Sequence, residues 1–147
     1  RFGEMRPEHK DYFEANYNQL VARWRENILD WETRLSRVRP IKIIDYHDSW
    51  AYFYRRFKLT HVTTIEPKPG IKPSGAHLAK VIAEGKAQKI DLIIAEPFFP
   101  RRDVQMVANQ IGVPTLLIQQ TPGGEYGSIE SIFEAIISFV EKVKQEQ

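Results

Sequence analysis

Residues 41–50 read Ile-Lys-Ile-Ile-Asp-Tyr-His-Asp-Ser-Trp, a stretch in which an apolar strand gives way to a polar turn. Asp45, His47 and Asp48 lie where the apolar run stops. The carboxyl ends of strands in an α/β sheet border the crevice in which such folds bind ligands. A histidine between two carboxylates at that position suits a metal or a proton-transfer site. On these residues alone, the alternative that Asp48 merely caps the next helix stays open.

The rest of the chain repeats the alternation of strand and helix. We predict strands at 42–46, 61–65, 90–95 and 114–118, each followed by a helix after a connecting loop. This alternation is typical of a parallel sheet. The first, third and fourth strands are almost continuously apolar, as strands covered on both sides should be. The predicted fold class is therefore α/β, with a four-stranded parallel sheet that has helices on both faces.

A long helix is predicted before the sheet. Apolar residues recur at steps of three and four from Phe13 to Val38, and Pro40 ends the pattern. A helix of this length spans roughly 45 Å, which is more than one small α/β lobe can cover. We therefore divide the chain into a linking helix, residues 1–40, and an α/β lobe, residues 41–147. The surplus apolar stripe needs a second lobe or a partner chain, and we expect the isolated chain to self-associate.

The composition excludes several classes of function. The 147 residues are 42% hydrophobic and 27% charged, as in an ordinary globular domain. A net charge of +2 with scattered basic residues argues against nucleic acid as a partner. The chain has no cysteine, so a metal must be bound by His, Asp, Glu or water. Because the chain begins at Arg1, without an initiator methionine or a signal peptide, we expect it to be a piece of a longer protein.

Every predicted strand ends in polar residues. Because parallel strands end at the same edge, we expect one polar rim, formed by Asp45, His47, Asp48, Glu66, Glu96, Gln119 and Gln120. An acidic rim with one imidazole should attract a cation, and the imidazole favours Zn²⁺ or Mn²⁺ over Mg²⁺ or Ca²⁺. His61 begins a strand, so we place it at the opposite edge, apart from His47. With one nitrogen ligand, the rim is half of a zinc site.

Other chemistries have weaker support in the sequence. The loop around Gly123 lacks the spacing and the lysine of phosphate-binding motifs, and Ser49 lacks the frame of a nucleophile elbow.

Two alternatives stay open. One is a hydrolase in which His47 forms a dyad with Asp45 or Asp48. The other is a metal-independent module in which Gln119 and Gln120 donate hydrogen bonds to a small polar solute.

Four motifs follow one another in a characteristic order. They are His-Asp-Ser-Trp-Ala-Tyr-Phe-Tyr-Arg-Arg-Phe at 47–57, Ile-Glu-Pro-Lys-Pro-Gly at 65–70, Pro-Ser-Gly-Ala-His-Leu at 73–78, and Ala-Glu-Pro-Phe-Phe at 95–99. In these motifs the chain, from about Pro7 to its end, resembles the carboxyl-terminal half of the zinc/manganese-binding proteins that serve ABC importers. The resemblance implies two α/β lobes joined by one rigid helix, with the metal held between the lobes.

The resemblance also implies a set of ligands. Two histidines come from the amino-terminal lobe, one follows the first strand of the second lobe, and a carboxylate follows its last strand. His47 matches the third position. At the fourth position this chain has Gln119 and Gln120, which lack the charge of an acid. Water and the side chains of Asp48, Glu96, Gln119 and Gln120 are the candidates to support the histidine or to replace the missing ligand.

The function implied by the resemblance is transport. We expect a periplasmic or cell-surface subunit of an ABC uptake system that binds Zn²⁺, with Mn²⁺ as the alternative, and delivers it to a membrane permease. Such a protein needs the missing amino-terminal lobe, has no catalytic residues and is not an enzyme.

Overall fold

The computed structural model describes residues 1–146, and the chain divides into two compact units, Arg1–Thr33 and Arg34–Gln147. The first elements are α1 (Phe2–Met5), a 3-10 turn (Pro7–His9) and the long helix α2 (Lys10–Ser36). The predicted long helix is confirmed as α2, which directly follows the 3-10 turn that begins at Pro7. The functional division at residue 40 stays a prediction. Within residues 1–146, no helix is both long and apolar enough to cross a bilayer.

The second unit is a parallel α/β lobe. Its elements are β1 (Lys42–Asp45), α3 (Ala51–Phe57), β2 (Thr60–Thr64), α4 (Gly75–Gln88), β3 (Leu92–Ala95), α5 (Arg101–Ile111), β4 (Thr115–Leu117) and α6 (Ile129–Gln145). The four strands pair in parallel in the order β2-β1-β3-β4, which confirms the predicted fold class. Because β1 and β3 are central, the residues that follow them lie in the middle of the rim.

The two central strands are buried on both faces. Ile43, Ile44, Leu92 and Ile93 are all fully buried, and successive side chains of a strand point to opposite faces. Ile44 and Ile93 belong to a core that includes residues of α4 and α5, namely Leu78, Val81, Val104 and Val107. The helices α3 and α6 contact each other through Phe53 and Phe133, whose ring centroids are 5.0 Å apart. Because side chains of helices cover both faces of the central strands, the polar rim begins where these buried strands end.

Local capping signals set the helix limits. The Ser74 hydroxyl accepts the His77 N–H at 3.2 Å and begins α4, while Ser128 and Ser131 form a capping box at α6. Gly112, with φ at 89°, ends α5 in the left-handed conformation that glycine adopts most easily. These caps account for the agreement between the predicted and the observed helices.

Ion pairs fasten α6 to the rest of the second unit. Arg34, near the end of α2, donates to Glu141 at 2.7 Å and pairs with Glu134 at 2.8 Å. At the amino end of the sheet, the buried Asp91 accepts the Lys42 N–H at 2.7 Å and the Lys144 ammonium at 2.8 Å. The contacts of Asp91 lie at the amino ends of β1 and β3, away from the rim, so they stabilise the lobe without taking part in the rim's chemistry.

Replacing Gly112 with alanine should lower the free energy of unfolding by about 1–2 kcal/mol, since an L-residue is strained at positive φ. An added Cβ meets no atom within 4 Å, so the cost is backbone strain alone. Gly75→Ala is the matched control: its Cβ also meets nothing within 4 Å, but Gly75 lacks the positive φ. Urea denaturation measures both variants, and equal stabilities would contradict this explanation.

Candidate metal site

His47 is held in one orientation by Glu66. It lies two residues beyond β1, and its Nδ1 is 2.5 Å from Oε2 of Glu66, which lies two residues beyond β2. The two side chains meet because β1 and β2 pair in parallel, with Asp45 opposite Thr64. Since Nδ1 is engaged by the carboxylate, Nε2 is the nitrogen that is available to a ligand. A carboxylate on the far nitrogen fixes the ring and makes the imidazole a stronger metal ligand.

Glu66 is itself fixed. Its side chain is buried, and Oε1 accepts the Gly70 N–H at 2.7 Å. The Thr64 hydroxyl donates to the Glu66 carbonyl at 2.7 Å. The sequence placed Glu66 on the rim but did not identify it as the partner of His47. The sequence does contain a sign of this pairing, because His47 and Glu66 each lie two residues beyond the end of a strand. To use that sign, however, one must know that β2 is the neighbour of β1.

The His47 cleft has a polar and an aromatic wall. A depression of about 450 Å³ is lined by His47, Ser49, Glu66, Gly70, Phe98, Phe99 and Gln120. Phe99 stacks on Tyr46 with ring centroids 4.2 Å apart, and Phe98 beside it is exposed. Apolar walls lower the local dielectric constant, which strengthens the attraction between a cation and the polar side chains.

The two glutamines after β4 have different roles. Gln120 lines the His47 cleft and donates to Oε1 of the buried Glu96 at 2.5 Å. Gln119 donates to the carbonyls of Thr121 and Gly123, at 2.7 and 2.6 Å, and so stabilises the glycine-rich loop. Of the side chains predicted to support His47 or to replace a ligand, Gln120 is the one that reaches the cleft, and Glu96 lies against it.

Asp48 belongs to a different cluster. Its exposed carboxylate lies with Asp45 and His61, and one potential ligand atom from each residue lies within 4.8 Å of the other two. The Tyr54 hydroxyl donates to Oδ1 of Asp45, and His61 Nε2 is 4.0 Å from Asp45 Oδ2.

These contacts correct two expectations from the sequence. The dyad of His47 with Asp45 or Asp48 is not formed, since the carboxylate at Nδ1 of His47 is that of Glu66. The imidazole of His61 is also not confined to the opposite edge, because its ring reaches the carboxylate at the end of β1. The position of His61 in the sequence of its strand did not show how far its side chain extends towards Asp45.

Burial dominates the electrostatics of Asp45. Desolvation raises its pKa to about 8, the Tyr54 hydrogen bond opposes this, and the charges of Glu96 and Asp48 add to it. Burial and the adjacent Asp45 also raise the pKa of Tyr54, which therefore stays a hydrogen-bond donor. In the metal-free protein, Asp45 is thus largely neutral at pH 7.

The metal-free chain should lose stability as the pH rises. The raised pKa of Asp45 means that the folded state binds more protons than the unfolded state, whose value is near 3.8. This contribution is complete below about pH 4 and is lost as the pH rises through about 8. In the presence of a chelator, Asp45→Asn should be less sensitive to pH and more stable than the wild type at pH 9, as measured by melting temperature.

Asp11→Asn removes an exposed carboxylate and should leave the pH profile unchanged. The assigned protonation of Asp45 would be wrong if Asp45→Asn lost stability between about pH 5 and 9 as steeply as the wild type.

The parallel α/β lobe, the long helix before it and the oriented histidine at its rim are the features that the resemblance in the sequence predicts. A family model described as "ZnuA: Zinc-uptake complex component A periplasmic" matches residues 1–145, and the chain belongs to this family. The resemblance predicted from the sequence motifs is therefore confirmed.

Individual relatives agree with this assignment. The high-affinity zinc uptake system protein ZnuA of Yersinia pestis is 26% identical over 113 residues, which cover 77% of this chain and 36% of that protein. A crystal structure of ZnuA superimposes with a TM-score of 0.84 at 24% identity, covering 97% of this chain and 54% of that one. The solute-binding protein FpvC of Pseudomonas aeruginosa, in complex with Mn²⁺, gives 0.80 at 26% identity, covering 99% and 56%.

The chain therefore spans about a third of the curated relative and about half of the solved structures that it matches.

Proposed function

We propose that this chain is the carboxyl-terminal lobe, with the linking helix, of a two-lobed metal-binding protein of an ABC uptake system. Its cargo is Zn²⁺, and His47 binds the ion through Nε2. The observation that carries the proposal is the contact of Nδ1 with the buried carboxylate of Glu66, which leaves Nε2 as the free nitrogen at the rim. Membership of a zinc-uptake family supports the choice of cargo.

The lobe supplies only part of the coordination shell. In the His47 cleft, the described lining residues provide one imidazole, one carboxylate already engaged with it, and the amide of Gln120. A tight zinc site needs further nitrogen or carboxylate ligands, so the remaining ligands come from the amino-terminal lobe. An imidazole donor favours Zn²⁺, and Mn²⁺ is the second candidate because carboxylate, carbonyl and water ligands suit it.

Gln120 makes this site less negative than one with an acid after the last strand. The missing charge is partly offset by Glu66 and by Glu96, whose carboxylate is buried behind the Gln120 amide. The cargo is bound and released without a chemical reaction, and it is delivered to a membrane permease outside the cytoplasm, in the periplasm or at the cell surface.

The apolar face of the first unit supports a missing lobe. Tyr17 is 65% exposed and Leu20 is 44% exposed, and both belong to the apolar stripe of α2. In the intact protein the amino-terminal lobe covers such residues, while in the isolated chain a second copy takes its place.

Replacing His47 with alanine in the intact protein should weaken zinc binding by about 100-fold or more, because one ligand and its oriented lone pair are lost. His77→Ala is the matched control: His77 lies on α4 and does not line the His47 cleft, its ring being 3.4 Å from the Thr64 carbonyl, and its loss should leave zinc binding at the cleft unchanged. Competition with a chromophoric chelator measures both affinities. A zinc affinity of the His47→Ala variant equal to that of the wild type would refute the role of His47.

The isolated 147-residue chain should self-associate, since its apolar stripe lacks cover. Tyr17→Gln should shift the population towards monomer, whereas the neighbouring polar substitution Asn16→Gln should not. Sedimentation velocity measures the change, and a chain that stays monomeric at high concentration would contradict the expectation.

A further inference from the structure

A second group of potential ligands lies outside the His47 cleft. Asp45, at the end of β1, is 1% exposed, and its Oδ1 accepts a hydrogen bond from Tyr54. Its Oδ2 is buried and has no hydrogen-bond partner. His61 Nε2, 4.0 Å away, is also buried and without a hydrogen-bond partner. Two unpartnered polar atoms therefore face each other in the interior.

This arrangement is costly unless another group completes it. Buried polar atoms without partners are rare in folded proteins, and each destabilises the folded state. Within residues 1–146, no lysine or arginine forms an ion pair with Asp45. The charges of Asp48 and Glu96 act on the same carboxyl group and make the surroundings more negative. A divalent cation that displaces the Asp45 proton is the partner that satisfies both atoms, and its charge also offsets those of Asp48 and Glu96.

The distances suit a metal ion. Ligand atoms about 2.0–2.2 Å from one tetrahedral ion lie about 3.3–3.6 Å apart. Asp45 Oδ2 and His61 Nε2 are 4.0 Å apart, so an approach of about half an ångström brings both into the shell of one ion. The Asp48 carboxylate lies within 4.8 Å of both, and because it is on an exposed turn it is free to move the further ångström or so that completes the set.

Tyr54 preorganises two of the three ligands. Its hydroxyl fixes one oxygen of Asp45, and its ring stacks on His61 with centroids 5.8 Å apart and an interplanar angle of 13°. The remaining oxygen of Asp45 and Nε2 of His61 are thereby directed at the same point. The His61 side chain is 28% exposed and Asp48 is exposed, so the cluster borders solvent, and an ion reaches its two buried atoms when these side chains move.

We propose that Asp45, Asp48 and His61 form a second site for a divalent transition-metal ion, with Zn²⁺ as the ion that fits best. Two carboxylates and one imidazole balance the ion's charge and leave the fourth position to water. All three ligands come from the described lobe, so the site does not depend on the proposed role of His47 or on the missing lobe.

The test is a Zn²⁺ titration of the chelator-treated intact protein, with bound metal counted after desalting. His61→Gln keeps a polar side chain but removes the imidazole, and it should lose one bound equivalent or bind it at least tenfold more weakly. Asp48→Asn changes only an exposed residue and should weaken the binding of the same zinc equivalent. This second variant tests the site even if His61→Gln fails to fold. His77→Ala, on α4, is the control and should bind as the wild type does.

The outcomes separate this proposal from the preceding one. Loss of one equivalent in His61→Gln or Asp48→Asn, and of a different one in His47→Ala, supports both sites. Loss in the first two variants alone supports the second site and refutes the role of His47. Wild-type stoichiometry and affinity in His61→Gln, or in Asp48→Asn where His61→Gln does not fold, overturn the second site.

Discussion

The contact between His47 Nδ1 and Glu66 Oε2 is the constraint on which the site depends. It joins the residues that follow two neighbouring strands, and it exists only because β1 and β2 end at the same level. The carboxylate is itself held by the Gly70 N–H, so the imidazole is oriented before any ion arrives. Preorganisation of this kind lowers the cost of binding, because little side-chain entropy remains to be lost.

The parallel sheet also concentrates negative charge. Asp45, Glu66 and Glu96 all follow or end strands at the rim, and all three are buried. Each buried acid is stabilised in a different way. Asp45 is protonated and accepts a hydrogen bond from Tyr54, Glu66 contacts His47, and Glu96 accepts a hydrogen bond from the Gln120 amide. Under the proposals made above, a cation bound at this rim replaces these compensations and stabilises the fold.

The sequence predicted the elements and the rim because both depend on local patterns. Apolar runs and capping residues such as Ser74 and Gly112 are readable from adjacent positions, and strand ends follow from them. The order β2-β1-β3-β4 is not local, since it is decided by packing across the whole lobe. The pairs His47–Glu66 and Asp45–His61 both depend on that order, and neither was predicted.

The direction of the side chains was the other feature that could not be predicted from the sequence. Gln119 and Gln120 are adjacent and chemically identical, yet one turns to the glycine-rich loop and the other to Glu96. Sequence could place both on the rim but could not separate them, because the choice depends on which backbone carbonyls and carboxylates lie within reach.

The most direct test of the account is long-range ¹H–¹⁵N NMR of the His47 ring in the intact protein, with and without Zn²⁺. We expect Nδ1 to keep its proton in both states, because it donates to Glu66, and we expect the Nε2 resonance to shift to the value of a metal-bound nitrogen. Zinc binding that leaves both ring nitrogens unchanged, or that occurs at Nδ1, would contradict the orientation on which the proposed function rests.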